Sequence, residues 1–153
     1  MPQFSKESLD KLATCRPELR LLFTEVIKHV DCTILYGRRG KAEQDKAVAA
    51  GHSKTKWPFS KHNCPDPLDP QKEDPNGLSR AVDAGPYPIL WPEHEPDPKK
   101  RVLILARWYA FMGFVKGVAA MQGVRLRFGF DWDGDFDFTD QTFHDLPHAE
   151  LVE

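Results

Sequence analysis

Near its C-terminal end the chain reads Asp145-Leu146-Pro147-His148-Ala149-Glu150, a carboxylate three residues before a histidine and a second carboxylate two after it. A neutral imidazole is a good zinc ligand, and a carboxylate beside it can take a proton from metal-bound water. One Asp/His pair is ordinary surface polarity unless matching ligands lie upstream. His62, two residues after Ser60, and Asp83, within Arg80-Ala81-Val82-Asp83-Ala84-Gly85, supply them. Two imidazoles and one carboxylate leave the fourth zinc position to water, as catalytic zinc sites do. His29 falls on a helical stretch, and His52 and His94 fall in loops without a partner motif.

The elements that must position these groups follow from pattern. Ser5 caps a short helix bearing Leu9 and Leu12, and Pro17 opens a second whose apolar positions run from Leu19 through Leu22, Phe23, Val26 and Ile27 to Val30. Cys32 to Tyr36 is a β-prone run ended by Gly37, delivering Arg38 and Arg39 to a strand end. An arginine there either meets an anionic group or stands in water, and both readings are open. Lys41 to Ala50 reads as a helix closed by Gly51. From His52 to Ser79 periodicity is lost through Trp57-Pro58-Phe59 and a Pro/Asp-rich segment, a length of loop that is usually functional or mobile.

Arg80 to Gly85 returns to β alternation with Ala81 and Asp83 on one face and Val82 on the other. An inward Asp83 is costly unless paired or metal-bound. After a proline-broken loop, Pro86 to Pro98, the longest helix spans Lys99 to about Gln122, with Gly113 and Gly117 as points where it weakens or bends. Its charged ends and Arg107 mark it as a packing helix and not a membrane element. Val124 to Gly129 alternates apolar and basic residues as a half-exposed strand does, and Ala149 to Val152 forms a short last strand. Between them, Asp131, Asp133, Asp135 and Asp137 stand at alternate positions, where mutual repulsion calls for a cation or an arginine. The spacing is that of a calcium loop, except that Gly134 is fourth and not sixth in the run.

These 153 residues, 41% of them apolar, predict one α+β domain over 1–153, its helices packed on a short, mainly antiparallel sheet that carries the zinc site. A formal charge of −2 and a pI near 6.3 give no basic field for nucleic acid. The basic runs Arg38-Arg39-Gly40-Lys41 and Lys99-Lys100-Arg101 read as solvated faces. Cys15, Cys32 and Cys64 are odd in number and widely spaced, which predicts free thiols and folding in a reducing compartment. The opening residues have no apolar signal core, so synthesis in a cytoplasm, no membrane insertion and a monomer are expected.

Ser60-Lys61-His62, Ser79-Arg80-Ala81-Val82-Asp83 and Asp145 to Leu151 together resemble the Ser-x-His…Ala-Val-Asp…Asp-x-x-His-x-Glu signature of LAS-type zinc peptidases. That group includes D-alanyl-D-alanine carboxypeptidases and bacteriophage endolysins that are L-alanyl-D-glutamate peptidases. The similarity extends to the Gly-x-Arg turn at Gly37 and to Phe128 through Trp132. It implies that His62, Asp83 and His148 bind zinc, that Asp145 is the general base, and that Arg39 holds a substrate carboxylate or the developing oxyanion. Glu150 would orient His148 from behind, or else is a strand-end surface acid. Trp57 and Trp132 would line a groove or simply pack.

The family spacing between the first histidine and the aspartate is shorter than the 21 residues here, so 63–78 reads as an inserted loop. His52 and Cys64 stand as alternatives to His62. The implied function is zinc-dependent hydrolysis of the L-alanyl-D-glutamate bond of peptidoglycan stem peptides, by a phage enzyme that reaches the periplasm and cell wall of its host on release. The rivals are a D-alanyl-D-alanine carboxypeptidase or dipeptidase, a non-catalytic metal- or wall-binding domain, and, more weakly, a metal-dependent nuclease.

Overall fold

The computed structural model describes residues 1–152. Helix α1, Lys6–Ala13, starts where Ser5 Oγ accepts the Ser8 N–H, and α2, Pro17–Val26, starts on its proline. The second helix is shorter than its apolar spacing predicts. Ile27 caps it, and the chain turns through Val30, which still packs against the core. Strand β1, Cys32–Tyr36, and helix α3, Lys41–Ala49, follow as expected, with Gly51 at φ 76° ending the helix. Strand β2, Ala81–Pro86, is buried along its whole length. A 3-10 turn at Pro92–His94 interrupts the next loop. Helix α4, Pro98–Met121, begins with Asp97 accepting the Lys99 N–H and runs through Gly113 and Gly117 without a break.

The sheet closes with β3, Leu126–Gly129, and β4, Asp145–Leu151, in the order β1-β2-β4-β3 with every pair antiparallel. This bears out the α+β expectation. The last strand is longer than the apolar stretch Ala149 to Val152 suggests, because it continues back through Pro147. Pro147 is tolerated because β4 bulges there. Phe128 pairs with Ala149 but the next residue, Gly129, pairs with Asp145, so Leu146 to His148 have no opposite number on β3.

One face of the sheet carries Ile34, Val82, Ala84, Phe128 and Ala149 into a core shared with Leu19, Leu22 and Phe23 of α2 and Phe111, Met112 and Val115 of α4. Leu22 and Phe23 are fully buried, and each such side chain contributes roughly 1.5–3 kcal/mol. Because side chains alternate along a strand, filling this face with Val82 and Ala149 sends Asp83, His148 and Glu150 to the other. The packing helices therefore lie on one side of the sheet and the polar cluster on the opposite side.

Candidate active site

Asp83 and His148 are directly opposed on β2 and β4, so the sheet itself brings together residues 65 apart in sequence. Nδ1 of His148 lies 3.2 Å from Asp83 Oδ1. His62 comes from the long loop. Its Nε2 lies 3.1 Å from the same carboxylate oxygen and 3.2 Å from His148 Nδ1. The loop reaches the sheet because its ends are tied: the Arg80 N–H donates to Lys61 O at 3.0 Å, and the Asp74 N–H donates to Cys64 O at 2.8 Å. The 21-residue interval is thus folded out on a paired base. His52 is exposed and belongs to no ligand cluster, and Cys64 lies outside the His62, Asp83 and His148 set.

The outer nitrogens of both imidazoles are fixed. His62 Nδ1 donates to Gly37 O at 2.7 Å, and His148 Nε2 donates to Glu150 Oε2 at 2.9 Å. A carbonyl can only accept, so the His62 proton sits on the outside and its lone pair faces inward. The same logic holds for His148 against the ionised Glu150. Burial works against that charge, but His148 and Arg127 hold the Glu150 carboxyl below its ordinary range. Three inward acceptors then converge, all within 4.8 Å and all buried. Such a group is repulsive unless a cation or a second proton lies among them. Two imidazole nitrogens and one carboxylate oxygen are a donor set that suits zinc. Burial opposes ionisation of Asp83, yet the two histidines hold its carboxyl far below the usual range. His148 is driven the other way. Burial lowers it, but Asp83 and Glu150 raise it to about 10.

Asp145 and His148 are three apart, and in a regular strand they would point to opposite faces. The β4 bulge re-aims Asp145. Gly129 lies where this happens: a Cβ built there would stand 2.8 Å from Asp145 Cβ and 2.9 Å from His148 Cβ, so only glycine lets β3 approach. Burial and the neighbouring Asp83 charge push the Asp145 carboxyl up to about 6, against the pull of His148, His62 and Arg39. Of the groups in the cleft, this is a carboxylate poised for proton transfer near neutral pH.

Arg39 lies beside the cluster, its Nη2 3.5 Å from Asp83 Oδ2, its Nη1 3.3 Å from Gln44 Oε1, and its guanidinium over the Tyr36 ring. Gln44 and Asn63 are residues that sequence reasoning missed. Gln44 is fully buried on α3, accepts from Asn63 Nδ2 at 3.2 Å, and so joins Arg39 to the His62 loop. The available signal was Asn63, adjacent to His62 in the chain. Glu150 is no surface acid. It is 4% exposed and also accepts Arg127 Nε at 2.8 Å. Trp132 stands 5.3 Å from the His148 ring and stacks on Phe143, over which Lys54 Nζ sits. Trp57 is buried and donates to Pro70 O, so it packs the loop and does not line the cleft.

The acidic run behaves differently. Asp131, Asp133 and Asp135 can each offer an oxygen within 4.8 Å of the others. Asp137 is outside that set, its carboxylate engaged by the backbone and hydroxyl of Thr139.

The family model for phage L-alanyl-D-glutamate peptidases matches residues 1–152. The chain is 30% identical over 159 residues to the L-alanyl-D-glutamate peptidase of Escherichia phage T5, covering 98% of each. Its fold is similar to the crystal structure of the Serratia marcescens L-Ala D-Glu endopeptidase ChiX, with a TM-score of 0.62 at 19% identity over 98% of this chain and 90% of that one. With a family match that runs through the signature residues and across nearly the whole sequence, the chain belongs to the phage L-alanyl-D-glutamate peptidase family.

Proposed function

We propose that the chain is a zinc-dependent endolysin that hydrolyses the L-alanyl-D-glutamate bond of peptidoglycan stem peptides. The observation that carries this reading is the convergence of His62 Nε2, Asp83 Oδ1 and His148 Nδ1, with each imidazole oriented by an acceptor on its outer nitrogen and Asp145 beside them. Family membership supports the choice of bond.

His62, Asp83 and His148 would hold the zinc, whose chemistry when bound would be to lower the pKa of water and polarise the scissile carbonyl. Asp145 takes the proton of the attacking water and returns it to the leaving amine, which suits a carboxyl near pKa 6. Arg39, fixed by Gln44 and Asp83, presents positive charge to the substrate carboxylate or to the oxyanion. Glu150 holds the His148 ring in its tautomer, and Arg127 in turn holds Glu150. Trp132 and Phe143 form an apolar wall beside His148. Asp131, Asp133 and Asp135 form a second, calcium-type cation site in this proposal, without Asp137.

The test is mass spectrometry of fragments released from purified peptidoglycan by the zinc-loaded protein, with and without a chelator. Chelator-sensitive release of peptides that begin with D-glutamate is expected. Loss of a terminal D-alanine alone would make the protein a carboxypeptidase, and absence of cleavage by loaded protein would make it a binding domain.

A further inference from the structure

Helix α4 is long and apolar enough to cross a membrane by length and composition, yet it cannot do so in this fold. Phe111, Met112 and Val115 are committed to the core and Trp108 is buried against Trp91, so withdrawing them would dismantle the packing. What remains unexplained is the opposite side of the helix. Val102 is 65% and Leu103 70% exposed, and the stripe continues from Leu103 through Ala106 and Ala110. Tyr87 and Leu90, also exposed, are held beside this end of the helix because Arg107 and Trp108 donate to the backbone of their loop. A solvated helix face ordinarily carries both signs of charge. This helix carries five basic residues and no acidic one, in a chain whose formal charge is −2.

The geometry points to α4 as a docking face for an anionic lipid bilayer, with Val102 and Leu103 entering the interface and Lys99 and Lys100 meeting the headgroups. An apolar strip flanked by basic residues, with no acid on its own helix, is what an interfacial helix presents. The acids nearest in sequence, Glu93, Glu95 and Asp97, keep their charge even where the Asp97 carboxylate caps Lys99 N and the Glu95 carboxylate accepts the Asp97 N–H, but the five basic residues of the helix outnumber these three and leave the face positive. The acidic run near Lys116 and Phe136 lies about 20 Å further along the helix, at 1.5 Å per residue. A second copy of the chain fits less well. Two such helices would oppose cation to cation, and a strip about 36 Å long and roughly 10 Å wide falls well short of the ~800 Å² per partner of a stable interface. Orientation is also favourable, because the core occupies the sheet face that α4 covers and the His62, Asp83 and His148 cluster occupies the other. A docked molecule therefore turns its cleft away from the lipid.

The test is co-sedimentation of the full-length protein with phosphatidylcholine vesicles, with and without phosphatidylglycerol, at low and high salt. Binding is expected only with phosphatidylglycerol and is expected to weaken with salt. Each of Lys99→Glu and Lys100→Glu should lower partitioning at least about five-fold, and Leu103→Asp about ten-fold or more. Since all three positions are exposed and far from the cleft, cleavage of lipid-free peptidoglycan serves as the folding control. Binding itself is scored without substrate, so it stands or falls apart from the proposed activity. Failure of the wild-type protein to bind phosphatidylglycerol vesicles, or equal binding by the variants, would overturn the inference. A concentration-dependent dimer abolished by Leu103→Asp, with no lipid binding, would give the face to a second copy instead.

Discussion

Two groups of acids lie close together on this small protein, and they differ in what surrounds them. Asp83, Asp145 and Glu150 sit at or near a buried pair of histidines, where each outer proton has a fixed acceptor and the inner lone pairs face one another. Asp131, Asp133 and Asp135 sit on a turn where Asp133 and Asp135 are exposed and where neighbouring donors, Phe136 N, Gln141 Nε2 and Asp137 N, already reach the three carboxylates. In the first group burial leaves the repulsion to be relieved by a cation or a proton among the three acceptors. In the second, water and local N–H groups relieve much of it. Proximity of carboxylates is common to both; in the first group burial beside the two histidines displaces the proton affinities of Asp83, Asp145 and Glu150.

The sharpest way to break this contrast is to remove a converging lone pair. His148→Ala should reduce peptidoglycan cleavage to background and leave zinc substoichiometric by elemental analysis, while an unchanged metal content would place the ion elsewhere. Asp145→Asn comes next, with bound zinc retained and turnover lower by about 10²–10⁴-fold. Because the base must be ionised and its pKa lies at about 6, wild-type activity should rise with pH through that value and level off above it. A flat profile from pH 5 to 8 would remove Asp145 from the role. Glu150→Gln should weaken zinc by about 10–100-fold and leave the fold intact, since it loosens the His148 tautomer without removing a ligand. The smallest effect belongs to the exposed group: Asp135→Asn should shift stability by no more than about 0.5 kcal/mol and leave activity in calcium-free buffer unchanged. Any calcium heat seen by calorimetry with the wild-type protein should disappear in this variant.

Much of this was readable from residue types. The signature picked out His62, Asp83, His148, Asp145 and Glu150, and alternation located β2. The bulge in β4 escaped, because Asp145-Leu146-Pro147 has no β propensity and the strand is held there by the pairing of Asp145 with Gly129. Gln44 escaped for a similar reason. It is the one buried residue of a helix whose remaining surface is polar or half-exposed, so no periodicity marks it. Tertiary hydrogen bonds to Ser53 and Thr55, and not local pattern, give it its place. The extent of α2 was overstated because Ile27 and Val30 keep an apolar spacing after the backbone has left the helix.

The paired base that carries His62 has a consequence for how such an enzyme can be altered. Lys61 and Arg80 are joined, and Cys64 with Asp74 and Asp66 with Lys72 add further rungs, so the position of the imidazole is settled before the chain reaches the tip. At that tip Pro67 is exposed and Leu68 is 95% exposed. The segment between the rungs is therefore a socket, where a foreign peptide such as an affinity sequence or a wall-targeting graft can be spliced in at modest entropic cost while the ligand geometry below is left as it was.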